Sequence, residues 1–251
     1  MLTNIARYCP PCYAAVLLVI LHVMPFRGGY ISLRPTQPSS QQRNTAPIVK
    51  INEPGHQGVY SANTLVSYSV SVSDKEDGDS RYDEIPSNSI FLELSFHQNS
   101  LNSNEGAKHK AIDRHGLTLM MRSDCFNCHQ FKSRNIGPAF SQIAMKYESQ
   151  RDAHALAARI MNGSTGLWGE EIMPAHPDLS EEQTLSVVQW ILKYGGTETL
   201  DYVRGKSGTF PTTLPRGKST GYFIVRAMYT DNGTDGNNVL TGYDSVIVHC
   251  R

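Results

Sequence analysis

Alternating apolar and polar residues predict a β-rich segment in the first half of the chain. Two runs, 65–72 (LVSYSVSV) and 89–96 (SIFLELSF), alternate with a period of two residues, and Gly, Asp and Pro lie between them. This alternation is typical of strands that bury one face and expose the other. We therefore expect a small β-sandwich over residues 46–100.

The apolar period becomes helical from about residue 113 to residue 194, and strand-like alternation returns between residues 221 and 249. The helical block, residues 110–196, thus lies between the sandwich and a C-terminal β segment over residues 197–251. The predicted fold class is α+β and multidomain, with an all-α domain flanked by, or inserted between, β-sandwich-like segments.

The last helix of the block carries its own boundary signals. Ser180 and Gln183 have the spacing of a capping box, and the pair Gly195-Gly196 ends the helix. We expect its apolar stripe to cross the first helix of the block. The stripe consists of Val187, Val188, Ile191 and Leu192.

The N-terminal residues have the pattern of an export segment. Arg7 precedes an apolar run at 14–24, which suits a signal peptide and is shorter than the ~20 residues that span a bilayer. No Ala-x-Ala cleavage site follows, so an uncleaved membrane anchor stays open. We predict a signal peptide or anchor over 1–27 and a disordered linker, rich in Pro, Ser and Gln, over 28–45.

Composition excludes several classes of protein. The 23 Lys and Arg residues balance the 23 Asp and Glu residues, so the chain lacks the basic surplus that a general nucleic-acid binder needs. A hydrophobic content of 39% is too low for a polytopic membrane protein and too high for a wholly disordered chain. Four of the five cysteines form two closely spaced pairs, which indicates chemistry and not disulfide bracing.

The pentapeptide Cys125-Phe126-Asn127-Cys128-His129 has the C-x-x-C-H pattern that accepts a c-type haem. On one helical turn, two thiols three residues apart can each form a thioether with a haem vinyl group, and the adjacent imidazole can bind the iron. The alternatives are half of a zinc site or a redox dithiol. Zinc requires two more nitrogen or sulfur ligands, and no second cysteine pair lies downstream of residue 128.

Met173 is the candidate for the second axial ligand of the iron. It lies 44 residues after His129 and precedes Pro174, which stiffens the loop. A thioether ligand favours ferrous iron and raises the reduction potential. Two alternatives stay open on the residues alone: Met173 packs in the core, or His176 binds instead and makes the site bis-histidine.

The order of motifs resembles the small bacterial class I cytochromes c. In that family a Gly-Pro loop follows C-x-x-C-H, and a helix ending in Asn-Gly, a Trp-Gly loop, Met-Pro and a final helix come next. The corresponding segments here are 136–140 (IGPAF), 159–164 (RIMNGS), 166–169 (GLWG), 172–174 (IMP) and 188–192 (VQWIL). The resemblance spans roughly 80 residues of the chain.

The resemblance implies one covalent haem c and electron transfer, with no enzymatic activity. Cys125 and Cys128 would be the thioether anchors, and His129 and Met173 the proximal and distal iron ligands. The carbonyl of Pro138 would orient the imidazole of His129. Trp168 and Arg159 would lie near the haem propionates.

A second resemblance concerns the β-rich segment. Residues 44–47 (NTAP) and 68–78 (YSVSVSDKEDG) resemble the immunoglobulin-like, PKD-type modules beside cytochromes in exported bacterial proteins. In many of those, a domain related to quinoprotein sugar dehydrogenases supplies the electrons. The resemblance therefore implies a redox partner of that class and a periplasmic or cell-envelope location.

A different class of function is also consistent with the β segments. A β-sandwich adhesion or carbohydrate-binding protein of the envelope, with a subsidiary haem, would present a run of exposed aromatic residues on one face. The candidates for such a run are Tyr60, Tyr68 and Tyr82.

Overall fold

The computed structural model describes residues 43–98, 114–148, 153–234 and 238–251. The predicted export segment and all of the predicted linker before residue 43 lie outside these residues. Within the described ranges, no helix has both the length and the apolar character needed to cross a membrane.

Strands occupy both ends of the described chain, and helices occupy its middle. The strands before the helices are β1 (Ile48–Glu53), β2 (Gly58–Tyr60), β3 (Leu65–Asp74), β4 (Gly78–Asp79) and β5 (Ile90–His97). The helices are α1 (His115–Arg122), α2 (Cys125–Cys128), α3 (Phe140–Lys146), α4 (Ala153–Asn162) and α5 (Glu181–Tyr194). The strands after them are β6 (Leu200–Arg204), β7 (Ser207–Pro211), β8 (Gly221–Thr230) and β9 (Thr241–Cys250).

These bounds confirm the predicted runs of strand and helix. The run at 65–72 falls in β3, and residues 90–96 of the second run fall in β5. Helix α5 begins after Ser180 with both hydrogen bonds of the capping box. Helix α5 ends at Gly195, which keeps a right-handed φ of −59°. A side chain there is excluded by space, because a Cβ atom would lie 2.7 Å from the carbonyl oxygen of Phe140.

The nine described strands form two sheets. In the first, β3 pairs antiparallel with β1, β4 and β7. The second has the order β2-β9-β8-β5-β6, antiparallel except for the parallel pair of β2 with β9. The side chains between the sheets form one apolar core, to which β3 contributes Val66, Tyr68, Val70 and Val72.

The β segments expected at 46–100 and 197–251 are parts of one sandwich and not separate bodies. Each sheet contains strands from both segments. Strands β5 and β6 are antiparallel neighbours, with Phe91 opposite Arg204 and Ser95 opposite Leu200, although the whole helical block lies between them in the sequence. The helical block is therefore inserted into the connection between two paired strands.

The helices cover the outer face of the second sheet and form a third layer. Phe91, Tyr202 and Met228 on that face share an apolar cluster with side chains of the helical block. The predicted crossing of α5 with the first helix is confirmed, and it is close at Gly116, where a Cβ atom would lie 2.3 Å from the carbonyl oxygen of Ser186. The contributions of the helical block to the cluster are Leu117, Met120, Met121, Phe126, Phe131, Phe140, Val187, Trp190 and Ile191.

A buried carboxylate lies at this junction between sheet and helices. Glu93 of β5 is 3% exposed. It accepts hydrogen bonds from Arg114 Nη2 (3.0 and 3.1 Å), from Arg226 Nη1 (3.1 Å) and from the hydroxyl of Tyr202 (2.8 Å). A buried charge is tolerated when it is paired and hydrogen-bonded, as the Glu93 carboxylate is here. Through these hydrogen bonds, the network joins the start of α1 to β5, β6 and β8.

We expect Glu93→Ala to lower the free energy of unfolding by about 3–5 kcal/mol, because it leaves two partly buried arginines without their counter-charge. Chemical denaturation followed by circular dichroism measures the change. The control is Arg81→Gln, which removes an exposed pair with Asp79 at 2.8 Å and should change the stability by less than about 1 kcal/mol. Equal losses for the two variants would contradict a structural role of the Glu93 network.

Candidate functional site

An apolar cleft in the helical block contains all seven of the predicted site residues. Its empty volume is about 1220 Å³, open solvent at its mouth included. The cleft is lined largely by carbon atoms of α3, α4, α5 and the loops between them. The predicted residues that line it are Cys125, Cys128, His129, Pro138, Arg159, Trp168 and Met173.

The two cysteines lie on the single turn of α2, and both line the cleft. Burial raises the pKa of Cys125 to about 12, and the charge of Asp124 acts in the same direction. Reactive dithiols commonly have a lowered thiol pKa, which burial opposes at Cys125. Within the described residues, no group of three or more His, Cys, Asp or Glu side chains is placed to hold a metal ion.

The imidazole of His129 is held on several sides. It is 9% exposed, and its Nδ1–H donates to the carbonyl oxygen of Pro138 at 2.7 Å. The ring of Phe140 stacks on it with centroids 5.3 Å apart and planes 21° apart. Gly137 lies so close that a Cβ atom there would be 2.5 Å from Cε1 of the imidazole.

These contacts determine which form of His129 is present. Because a carbonyl only accepts, Nδ1 carries the proton and Nε2 keeps its lone pair. Burial lowers the pKa of His129, with a smaller contribution in the same direction from His176, against the raising effect of the Pro138 hydrogen bond. The ring is thus neutral at neutral pH, with Nε2 available to bind a metal ion.

Met173 reaches the cleft from a loop that pairs with the end of the preceding helix. Its N–H donates to the carbonyl oxygen of Ser164 (2.8 Å), and the N–H of Ser164 donates back to Met173 (3.0 Å). Gly163 makes this pairing possible, since its φ is +79° and a Cβ atom there would lie 2.9 Å from the Met173 carbonyl. The backbone on both sides of Met173 is therefore held against the cleft.

His176, the alternative axial ligand, also lines the cleft. Its Nδ1 lies 3.3 Å from Oδ1 of Asp124, and its backbone N–H donates to Ile160 at 3.0 Å. The pair of His176 with Asp124 joins the Met173 loop to the residue before Cys125. His176 therefore has a structural partner of its own in this arrangement.

Two cationic side chains contact Trp168, and a third lies nearby in the lining of the cleft. Lys146 Nζ lies 4.3 Å from the centroid of the Trp168 ring, and Arg134 Nη2 donates to the Trp168 carbonyl at 2.9 Å. Arg159 Nη1 donates to the hydroxyl of Tyr147 at 3.0 Å. Arginine and lysine side chains at this position can bind carboxylates.

The donor set of the cleft fits a haem. The cleft offers two thiols on one turn, a neutral imidazole with Nε2 unprotonated, a thioether, apolar walls, and cations that can pair with two propionates. The C-x-x-C-H and Met-Pro motifs predicted the thiols, the imidazole and the thioether of this donor set. Gly137 and Phe140 lie in the predicted Gly-Pro segment 136–140, but their contacts with His129 were not predicted, and Arg134 and Lys146 belong to none of the motifs.

The three tyrosines considered for an aromatic surface, which could equally be core or turn residues, differ in their exposure. Tyr68 is 2% exposed and Tyr60 is partly buried against the core between the sheets, whereas Tyr82 is 72% exposed. Of the three candidates, one side chain alone is available to a ligand. These three tyrosines therefore form no exposed aromatic run on the sandwich.

Comparison with known proteins shows similarity over the helical block. The family model described as Cytochrome c matches residues 114–194. Over 75 residues, the chain is 37% identical to cytochrome c-552 of Nitrosomonas europaea, which covers 30% of this chain and 73% of the relative. Over 75 residues it is 36% identical to cytochrome c-551 of Pseudomonas aeruginosa, and this match covers 30% of this chain and 71% of the relative.

A solved structure also matches part of the chain. The crystal structure of wild-type Nitrosomonas europaea cytochrome c552 has 36% sequence identity and a TM-score of 0.29, and the match covers 30% of this chain and 95% of that chain.

We expect Gly137→Ala to displace the imidazole of His129, since the added Cβ atom would overlap with the ring, and to cost about 1–3 kcal/mol of stability. Side-chain ¹⁵N chemical shifts of His129 report the loss of its hydrogen bond to Pro138. Gly196→Ala is the matched control, because its Cβ atom would meet only Ala144 at 3.9 Å. Unchanged ¹⁵N shifts in Gly137→Ala would contradict this packing.

Proposed function

The chain belongs to the cytochrome c family, whose haem c is covalently attached, and we propose that it carries single electrons at a haem iron ligated by His129 and Met173. The observation that supports this most is the hydrogen bond of His129 Nδ1–H to the Pro138 carbonyl, which leaves Nε2 as the ligand atom. The haem iron supplies a one-electron couple between its ferrous and ferric states.

Cys125 and Cys128 would hold the haem covalently. Both thiols face the cleft from the same helical turn, and His129 follows them directly. Because the backbone N–H of His129 donates to the Cys125 carbonyl at 2.9 Å, the turn positions anchors and ligand as one unit. The proton at Nδ1 stays on the Pro138 hydrogen bond throughout an electron transfer, so His129 needs no rearrangement.

Met173 is the preferred distal ligand over His176. The loop pairing with Ser164 holds Met173 at the cleft, whereas His176 already pairs with Asp124. A sulfur ligand favours ferrous iron and suits an electron acceptor of high potential. With both axial positions occupied by protein, the site would bind no substrate, which supports a carrier and not a haem enzyme.

Arg159 and Trp168 would lie beside the haem propionates. Arg159 lines the cleft and is held by Tyr147, and the Trp168 loop is held by Arg134 and Lys146. A guanidinium group near propionates offsets their negative charge inside an apolar cleft. Pairing the propionate charges in this way lowers the free-energy cost of burying the haem in the cleft.

The partner and location of this carrier are also proposals. The apolar run at 14–24 supports export, so that the electrons would pass to or from a redox protein in the periplasm or cell envelope. The two packed sheets support an immunoglobulin-like, PKD-type sandwich. The likeness of that module to those beside quinoprotein sugar dehydrogenases points to a dehydrogenase as the electron donor.

We expect Met173→Ala to abolish the weak far-red absorption band of a methionine-ligated ferric haem and to lower the midpoint potential, because the ferrous form loses its sulfur ligand. The measurements are absorption spectra and redox titration of full-length protein made with a c-type maturation system. The matched control is His176→Ala, which should keep the band.

The opposite pattern would contradict the proposed ligand pair. A low-spin spectrum of the unmodified protein that lacks the far-red band, and that becomes high-spin in His176→Ala and not in Met173→Ala, would assign His176 to the iron. A high-spin spectrum of the unmodified protein would mean that the sixth position is open, and a haem enzyme would then be the better interpretation.

A further inference from the structure

The two residues between the haem-anchoring cysteines both contact the β-sandwich. Phe126 packs edge-on against Phe91 of β5, with ring centroids 4.8 Å apart and planes at 62°. The carboxamide oxygen of Asn127 accepts a hydrogen bond from Arg204 Nη1 of β6 at 2.7 Å. Thus the sandwich holds the turn Cys125–Cys128, the anchoring turn, through one apolar and one polar contact.

Phe91 and Arg204 act together on the outer face of the second sheet. They are opposite each other in the pairing of β5 with β6, and the guanidinium of Arg204 lies 5.7 Å from the centroid of the Phe91 ring. Arg204 Nε also donates to the carbonyl oxygen of Asn88. Phe91 is 1% exposed, so its contact with Phe126 lies in the packed interior.

A continuous set of ring contacts leads from the sheet to the imidazole. Beyond Phe126, the next ring is Phe140, with centroids 5.3 Å apart and planes at 77°. Phe140 in turn stacks on His129. In a close-packed interior, a change in the position of the first ring must be taken up by the others or by a cavity.

We propose that Phe91 and Arg204 are positioning residues of the haem site. Together they hold the turn Cys125–Cys128 against the second sheet. Phe91 also sets the plane of the His129 imidazole, through the rings of Phe126 and Phe140. This rests on the proposed role of His129 as an iron ligand. The β-sandwich is then a structural part of the redox centre. It sets the dielectric and the ligand orientation that determine the potential.

The test compares haem-loaded, full-length protein with Phe91→Leu and Arg204→Gln. Both variants should lower the midpoint potential, because looser packing admits water beside the turn and Arg204→Gln also removes a positive charge. Both should also shift the haem-methyl resonances in the NMR spectrum of the ferric protein, which depend on the orientation of the axial ligands. The far-red methionine band should remain.

Two matched controls separate positioning from stability. Phe96→Leu changes a ring on the same strand that packs between the sheets against Phe223, at 5.3 Å. Lys206 lies between β6 and β7, and Lys206→Gln removes its ion pair with Asp83. Both controls should reduce stability and leave the potential and the haem-methyl shifts unchanged.

Each outcome bears on the proposal. Wild-type potential and haem-methyl shifts in both Phe91→Leu and Arg204→Gln, with stability alone reduced, would overturn it, as would equal shifts in the controls. If unmodified protein lacks the methionine band, the ligand assignment of Met173 fails, yet haem-methyl shifts specific to the two variants would still support positioning through His129. A chain that acquires no covalent haem would overturn both.

Discussion

The burial of the second sheet on both of its faces is the constraint on which the rest of the structure depends. One face forms the core of the sandwich, and the other is covered by α1, α5 and the anchoring turn. Full burial of an aromatic or large aliphatic side chain contributes about 1.5–3 kcal/mol. Phe91, Tyr202 and Met228 therefore attach the helical block firmly to the sheet, although the block is an insertion between β5 and β6.

That constraint also explains the most polar feature of the interior. Glu93 lies on the face that the helices cover, where a solvated strand would expose it to water. Once covered, its charge must be met by Arg114, Arg226 and the Tyr202 hydroxyl. Because Arg114 directly precedes α1, its hydrogen bonds to Glu93 attach the start of the helical block to the sheet.

The site itself depends on short-range geometry within the helical block. The turn Cys125–Cys128 and the Gly137-Pro138 loop bring thiols, imidazole and carbonyl together over a span of 14 residues. Backbone pairing of Ser164 with Met173 completes the cleft. The sandwich contributes from outside, through the contacts of Phe91 with Phe126 and of Arg204 with Asn127, which hold the turn Cys125–Cys128 against the second sheet.

The sequence by itself determined the periodic elements, the C-x-x-C-H turn and the family, because each depends on residues near one another in the chain or on a motif with a physical reason for its spacing. Only the tertiary structure decided that the two β segments share both sheets, that Glu93 is buried, and that Phe91 and Arg204 contact the anchoring turn. Those contacts join residues such as Arg204 and Asn127, 77 positions apart. A strand with one polar residue in its apolar run has the same local pattern whether water or a helix covers it, so burial on the second face could not be read from the sequence.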